Sequence, residues 1–193
     1  MKKLDGKKIG VAITGSFCTF EDVLGCISDL VVNGAEVTAI LSYAASDMDT
    51  KFGKAENFKR EIMKITRREI IDTIPRTEPI GPGKMLDGLI VLPCTGNTLA
   101  KIAAGIADTP ATFSVKSHLR NGRPVVIGIS SNDALAAGAQ NIGKLLNVRN
   151  MYFVPFGQDD AVNKPRSVVF HKECVLEAMT HALDGVQVQP ILV

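Results

Sequence analysis

The segment Pro93-Cys94-Thr95-Gly96-Asn97-Thr98 carries the residue types and spacing best suited to chemistry in this chain. It follows a continuous apolar run, 88–92, and precedes a pattern typical of a helix. Thr95, Asn97 and Thr98 place side-chain donors beside the unpaired N–H groups that begin a helix, where the helix dipole favours an anion. A helix cap needs only one such residue. The segment therefore predicts an anion or cofactor site.

Polar residues also follow the other apolar runs, and these could complete the same site. Thr14-Gly15-Ser16 offers one glycine for a close backbone approach and a hydroxyl that can donate to a phosphate. A dinucleotide fingerprint needs three spaced glycines, so NAD bound here in the usual way is not expected. Ser42 can finish a phosphate cage or only form a turn. In Ser130-Ser131-Asn132-Asp133, Asn132 faces a substrate or, like Asp133, caps the next helix.

A polar loop at 156–166 is the last candidate. Its Lys164 and Arg166 suit the recognition of carboxylates, and the guanidinium of Arg166 is the better suited because it can form two parallel hydrogen bonds. The alternative is a solvated loop without such a role. The three histidines are scattered and receive no catalytic role. No spacing of His, Cys or Asp resembles a zinc site and no Walker lysine follows Gly96, so no metal is predicted.

The elements that must position these loops alternate along the chain. Strands are predicted over 8–14, 36–43, 88–92, 123–129 and 151–156, and helices over 20–32, 55–66, 97–107, 114–120, 133–146 and 173–183. Three prolines predict a loop over 74–83. The alternation predicts an α/β fold, a single domain over 1–193 with a doubly wound parallel sheet in three αβα layers, flavodoxin-like or Rossmann-like. The carboxyl ends of its strands are expected at one edge of the sheet, where the polar loops would lie together.

Composition narrows the class of partner. The chain has 193 residues, 46% hydrophobic and 22% charged, which is typical of one globular domain. A net charge of +2 gives no footprint for nucleic acid or a membrane surface. The apolar run at 9–14 is too short for a leader peptide or a membrane span, so a cytoplasmic protein is expected. The four cysteines are expected to be reduced, with Cys94 set apart by its loop.

The run from Pro93 to Asp108 resembles the signature of the FMN-binding flavoprotein family, which includes cysteine-peptide decarboxylases, phosphopantothenoylcysteine decarboxylase and flavin prenyltransferases. The markers after strands one, two and four occur in the family's order. The resemblance implies FMN as cofactor and a homo-oligomer, a trimer or a dodecamer. The residues that it assigns to the cofactor are Gly15, Ser16, Phe17, Ser42, Thr95, Gly96, Asn97 and Thr98.

Two departures separate this chain from the decarboxylases of that family. Those enzymes carry a catalytic histidine after strand two, and residues 45–75 here contain none. Their Pro-Ala-Met-Asn segment is replaced by Ile129-Ser130-Ser131-Asn132, which keeps only the asparagine. The resemblance therefore implies flavin binding without the family's acid–base chemistry, and it leaves the catalytic residues unidentified.

The run from Tyr152 to Asp160, followed by Lys164-Pro165, is similar to one branch of the family in spore-forming bacteria. This resemblance spans the whole chain and implies an oxidoreductase subunit in the mother-cell cytoplasm. It would oxidise a small cyclic dicarboxylate to an aromatic diacid, together with a partner subunit that binds NADP or NAD. Asn132, Lys164 and Arg166 would then bind the substrate. The alternatives are a non-catalytic flavin- or nucleotide-binding regulator of the partner and a stand-alone FMN-dependent decarboxylase or prenyltransferase.

Overall fold

A computed structural model describes residues 2–193, in which strands and helices alternate over most of the chain. The strands are β1 (Lys8–Ile13), β2 (Glu36–Leu41), β3 (Gly88–Cys94), β4 (Val125–Ser131), β5 (Met151–Phe153), β6 (Phe156–Gly157) and β7 (Val168–Phe170). The α-helices are α1 (Phe20–Val32), α2 (Tyr43–Asp47), α3 (Ala55–Thr66), α4 (Ile74–Thr77), α5 (Gly96–Ala104), α6 (Pro110–Arg120), α7 (Ala139–Leu146) and α8 (Val175–Leu183). Single turns of 3₁₀-helix lie at Phe17–Thr19, Glu78–Ile80 and Lys172–Cys174.

Five strands form a parallel sheet in the order β2-β1-β3-β4-β5, which confirms the predicted flavodoxin-like arrangement. Val11 at the centre of β1 lies opposite Ala39 of β2 and Ile90 of β3. Because all five strands run the same way, their carboxyl ends share one edge of the sheet. The chain order reverses between β1 and β3, and this is where α/β sheets of this kind bind ligands.

Two short antiparallel strands extend the sheet beside β4. β7 pairs with the end of β4, with Val169 opposite Ser130, and β6 pairs with β7. The end of the chain continues this ribbon, because the N–H of Phe156 donates to Ile191 O at 3.0 Å and that of Val193 donates to Phe156 O at 3.2 Å. The prediction of one strand over 151–156 was wrong, since β5 ends at Phe153 and Phe156 belongs to the antiparallel part.

Apolar layers on both faces of the sheet make the three-layer αβα core. β3 is buried along its whole length. Its side chains alternate, so Ile90 and Leu92 pack with α1, α3 and α8, whereas Leu89 and Val91 pack with α5, α6 and α7. A strand covered on both faces has no polar position of its own. Chemistry on this strand is therefore confined to the residues that follow its carboxyl end.

Several predicted boundaries differ from the structure for local reasons. The helix predicted over 133–146 begins only at Ala139, because residues 132–138 form turns in which Asp133 O accepts from the N–H groups of Ala136 and Gly138. The prediction that Asn132 or Asp133 is its N-cap is therefore wrong. The segment 74–83 is not all loop, because its α4 and the following 3₁₀ turn tolerate proline in a first turn. Of the helices within residues 2–193, none combines the length and apolar character needed to cross a bilayer.

His118 on α6 is a buried polar group that the core does not satisfy. Its side chain is fully buried, and neither ring nitrogen has a hydrogen-bond partner among the described residues. Burial, with a smaller contribution from the Arg123 guanidinium, lowers the pKa of His118 from 6.5 to about 4. At pH values between about 4 and 6.5, His118 binds a proton in the unfolded chain but not in the folded chain. Stability is therefore lost as pH falls from about 6.5 towards 4.

Replacing His118 with leucine is expected to remove this loss, which corresponds to about 3 kcal/mol at its maximum. Denaturant unfolding at pH values from about 7 down to about 4.5 measures it. The unfolding free energy of the variant should exceed that of the native protein by an amount that grows as pH falls. His171→Asn, at an exposed position, serves as the control. A constant difference between His118→Leu and the native protein across this range would contradict the assignment.

Candidate functional site

Buried Thr14 ties the ends of the two central strands together. Its hydroxyl donates to Pro93 O at 2.7 Å and accepts from the N–H of Thr95 at 3.1 Å. The side chain is only 1% exposed, so water does not compete for these bonds. The loop after β1 and the start of α5 are therefore held in one fixed relation. The sequence placed Thr14 in a polar segment, but its joining role depends on β1 and β3 being neighbours.

Thr95 is the N-cap of α5. Its Oγ1 accepts from the N–H of Thr98 at 3.3 Å and donates to the Thr98 hydroxyl at 3.0 Å. The N–H groups of Gly96 and Asn97 meet no acceptor within residues 2–193, and the exposed amide of Asn97 is likewise unpaired there. Because the Thr98 hydroxyl accepts from Thr95, its own proton remains available. These donors converge at a helix N-terminus, the backbone arrangement that binds anions.

A cleft of about 340 Å³ lies over this helix end. Of the residues assigned to the cofactor from sequence, it brings together Gly15, Ser42, Thr95, Asn97 and Thr98. Ser42 also caps α2, because its Oγ accepts from the N–H of Ala45 at 3.3 Å. Tyr43, Ala44, Lys101 and Thr109 complete the lining. The loops after β1, β2 and β3 thus share one cleft.

Lys101 brings an ammonium group, paired with Asp108, to this cleft and was missed in the sequence. Its Nζ lies 2.7 Å from Asp108 Oδ2, and this hydrogen bond is the main reason that the pKa of Asp108 is lowered. The signal that could have revealed it is spacing, since Lys101 lies three residues after Thr98 and so on the same face of α5. An anion in the cleft would find a cation as well as hydrogen-bond donors.

The other three residues assigned to the cofactor lie around the cleft and do not line it. Ser16 Oγ is 2.8 Å from Ser130 Oγ, a bond that joins the loops after β1 and β4. Phe17 packs against Phe20, with ring centroids 5.1 Å apart, and lines a neighbouring apolar cleft of about 310 Å³. Gly96 permits a close approach, because a Cβ there would lie 2.6 Å from Ser131 Oγ.

Residues assigned to the substrate gather at the same edge, on the side of β4. Ser167 Oγ lies 3.5 Å from Asn132 Oδ1, and Arg166 O accepts from the N–H of Leu135 at 3.0 Å. Lys164 Nζ is 3.1 Å from Asp159 Oδ2, and this hydrogen-bonded pair raises the pKa of Lys164. The structure thus brings the loop before β7 against the loop after β4. None of the three assigned residues lines the cleft over α5.

The cysteine within the signature segment is not a nucleophile in this structure. Cys94 is fully buried, and burial raises the pKa of its thiol far above the ordinary value. A buried neutral thiol is inert, because the thiolate is the reactive form. The three histidines lie on α6, on α8 and in the segment before α8, and none of them lines the cleft.

Comparisons with known proteins identify the family of this chain. The sequence profile of the Flavoprotein family matches residues 1–177. The B subunit of dipicolinate synthase from Bacillus subtilis strain 168 is 41% identical over 193 residues, which are 100% of this chain and 96% of that protein. The crystal structure of the dipicolinate synthase B subunit from Bacillus halodurans has a TM-score of 0.91 and 42% identity, covering 98% of this chain and 97% of that one.

A more distant solved structure shares the fold. The FMN-dependent cysteine decarboxylase SpaF has a TM-score of 0.68 at 20% identity, over 94% of this chain and 97% of that one. Full-length identity to one branch and a family match over most of the chain lead to one conclusion. The chain belongs to the Flavoprotein family, within the group that contains the B subunits of dipicolinate synthase.

Proposed function

We propose that the cleft over α5 binds the phosphate of FMN, and that the chain is the subunit of dipicolinate synthase that acts with the A subunit. The reaction is the oxidation of dihydrodipicolinate to dipicolinate, with NADP or NAD bound to the A subunit. The observation that supports this best is the convergence of five sequence-assigned residues on one cleft with unpaired donors. Identity to the B subunit across the whole chain supports the choice of reaction.

The donors in the cleft fit a phosphate group. The N–H groups of Gly96 and Asn97, the side-chain amide of Asn97 and the hydroxyl of Thr98 would hold its oxygens, and Lys101 would balance its charge. Hydrogen bonds to a charged oxygen are about twice as strong as neutral ones. Phe17, beside Gly15 at the border of the neighbouring apolar cleft, offers an aromatic surface for the flavin ring. When bound, FMN would supply a two-electron hydride acceptor.

The loop on the side of β4 fits a dicarboxylate. Lys164 and Arg166 are exposed cations on it, and Asn132 faces it from the end of β4. Lys164 already holds the carboxylate of Asp159, so a substrate carboxylate would replace an interaction of the same chemistry. Formation of an aromatic ring supplies most of the driving force, and the protein therefore has mainly to position the reactants.

A second candidate function is that of a flavin-binding regulator of the A subunit that does no chemistry. The buried thiol of Cys94, and a cleft that no histidine of the described residues lines, favour this candidate over a stand-alone decarboxylase or prenyltransferase. Either role would be performed in the mother-cell cytoplasm. We further propose assembly into a trimer or dodecamer, which would cover the exposed apolar side chains of Met48, Phe52 and Ile106.

Replacing Asn97 with alanine is expected to weaken FMN binding about 10-fold or more, because one hydrogen bond to a charged oxygen is lost. Asn97 has no partner among the described residues, so the fold should keep its stability. Titration followed by quenching of flavin fluorescence measures the affinity. Gln140→Ala, on exposed α7, is the control. An unchanged dissociation constant for Asn97→Ala would count against a phosphate at this helix end.

Replacing Lys101 with methionine is expected to lower FMN affinity and to flatten its dependence on salt, since a partly buried cation is removed. The same titration, repeated at low and high ionic strength, measures both effects. Lys116→Met removes an exposed lysine of α6 outside the cleft and should leave both unchanged. Equal salt dependence in Lys101→Met and the native protein would exclude a direct role for this charge.

Reconstitution tests the reaction. Dipicolinate formation from dihydrodipicolinate is measured with the A subunit alone, with this chain and FMN alone, and with both chains together. Turnover is expected only in the mixture, because each chain holds part of the site. If the A subunit alone formed dipicolinate at the rate of the mixture, the regulatory role would replace the catalytic one.

A further inference from the structure

The carboxylate of Asp133 lies against the N-terminus of α5. Ser131 Oγ donates to Asp133 Oδ1 at 2.5 Å, and the N–H of Asp133 returns a bond to Ser131 Oγ at 3.4 Å. A Cβ on Gly96 would lie 2.8 Å from Asp133 Oδ1. Glycine at position 96 is therefore what allows the loop after β4 to reach this helix end.

The position of Asp133 is between the two halves of the proposed site. On one side, Thr95 and Asn97, which flank Gly96 in the chain, line the cleft for the cofactor phosphate. On the other side, Asn132 precedes Asp133, and the N–H of Leu135 is bonded to the carbonyl of Arg166. A group that acts on a substrate held beside the cofactor has to lie between the cofactor cleft and the loop that would bind the substrate.

The side chain of Asp133 contributes little to holding the fold together. The turn at 133–138 is held by the main-chain carbonyl of Asp133, which accepts from Ala136 and Gly138. The next helix has Gly138 as its N-cap, so the carboxylate does not cap that helix. One side-chain hydroxyl, that of Ser131, donates to it within the described residues. An exposed carboxylate can accept further hydrogen bonds or a proton.

The proposed reaction, on which this inference rests, requires a proton acceptor. Conversion of a dihydropyridine dicarboxylate to the aromatic diacid breaks two C–H bonds and forms one C=C bond. One hydrogen leaves as hydride, with its electron pair, to an oxidised flavin or nicotinamide. The electrons of the other C–H bond enter the ring, and its proton leaves to a base. The balance is one hydride and one proton for each dipicolinate formed.

We propose that Asp133 is the base that accepts this proton, and that Ser131 is a positioning residue that aims its carboxylate. Two other carboxylates near the edge serve less well. Asp108 is paired with Lys101, and Asp159 is paired with Lys164. Each of these two carboxylates is thus already held by a lysine ammonium, whereas the side chain that donates to Asp133 within the described residues is the neutral hydroxyl of Ser131.

The test is Asp133→Asn in the complex with the A subunit and FMN. Asparagine keeps an acceptor for Ser131, so the turn should be preserved, and FMN should still bind, because removing a negative charge beside the proposed phosphate site does not weaken phosphate binding. The turnover number is expected to fall about 100-fold or more, in the range of general-base removal. Equilibrium dialysis with dipicolinate gives a readout independent of turnover. The product is a dianion, and loss of the neighbouring charge should tighten its binding roughly 3- to 10-fold.

Controls separate this inference from the function on which it rests. Asp184→Asn removes an exposed carboxylate at the end of α8 and should change neither quantity. Ser131→Ala should lower kcat with little change in KM, because it disturbs only the aim of the base. An active native complex in which Asp133→Asn keeps full turnover, or binds dipicolinate no more tightly, would overturn the role of Asp133 alone. A native complex that forms no dipicolinate would overturn both the function and this role.

Discussion

One buried hydroxyl sets the geometry on which the proposed site depends. Thr14 satisfies both the carbonyl of Pro93 and the N–H of Thr95, two main-chain groups at the end of a strand buried on both faces. Leaving either unpaired would cost roughly 1–3 kcal/mol. The start of α5 therefore has one orientation relative to the loop after β1. Donors fixed in this way need no rearrangement when an anion arrives, and this is what distinguishes a binding site from a flexible polar loop.

The sheet edge divides into two regions of different chemistry. On the side of β1 and β2, hydroxyls, free N–H groups and Lys101 favour an anion, and Ser42 links this region to α2. On the side of β4, Asp133 carries a carboxylate, and the loop before β7 carries the ion pair of Lys164 with Asp159. Gly96 lies at the boundary, where the absence of a side chain lets Ser131 and Asp133 approach the start of α5, and the hydrogen bond between Ser16 and Ser130 also joins the two regions. The proposed cofactor phosphate and the proposed base are thus assigned to different residues.

Apolar periodicity predicted the five parallel strands and the order that the structure has, because a continuous run such as 88–92 has one plausible place in a doubly wound sheet. The polar residues that follow these runs, which the family resemblance assigned to a cofactor, include the five assigned residues that line the cleft. The short polar residues at 131–133 led to a wrong prediction of a helix N-cap. A side chain that bonds to the main chain two residues away can form either a local turn or an N-cap, and only the conformation of the following residues distinguishes the two. The contact between Ser16 and Ser130 was beyond sequence reasoning, because it joins residues 114 apart and depends on strand order.

The antiparallel ribbon beside β4 has a mechanical consequence. Its inner strand β7 is bonded to Ser130 and Ser131, and its outer strand β6 is bonded to the last residues of the chain. Gly157 is pressed against the carbonyl of Val193. The stem of the loop that carries Lys164 is therefore held by main-chain hydrogen bonds on both sides, and these bonds restrain a hinge motion of the whole loop. In the proposed reaction, a substrate would therefore enter by replacing the ion pair of Lys164 with Asp159, while the main chain beside Asn132 would stay where β7 holds it.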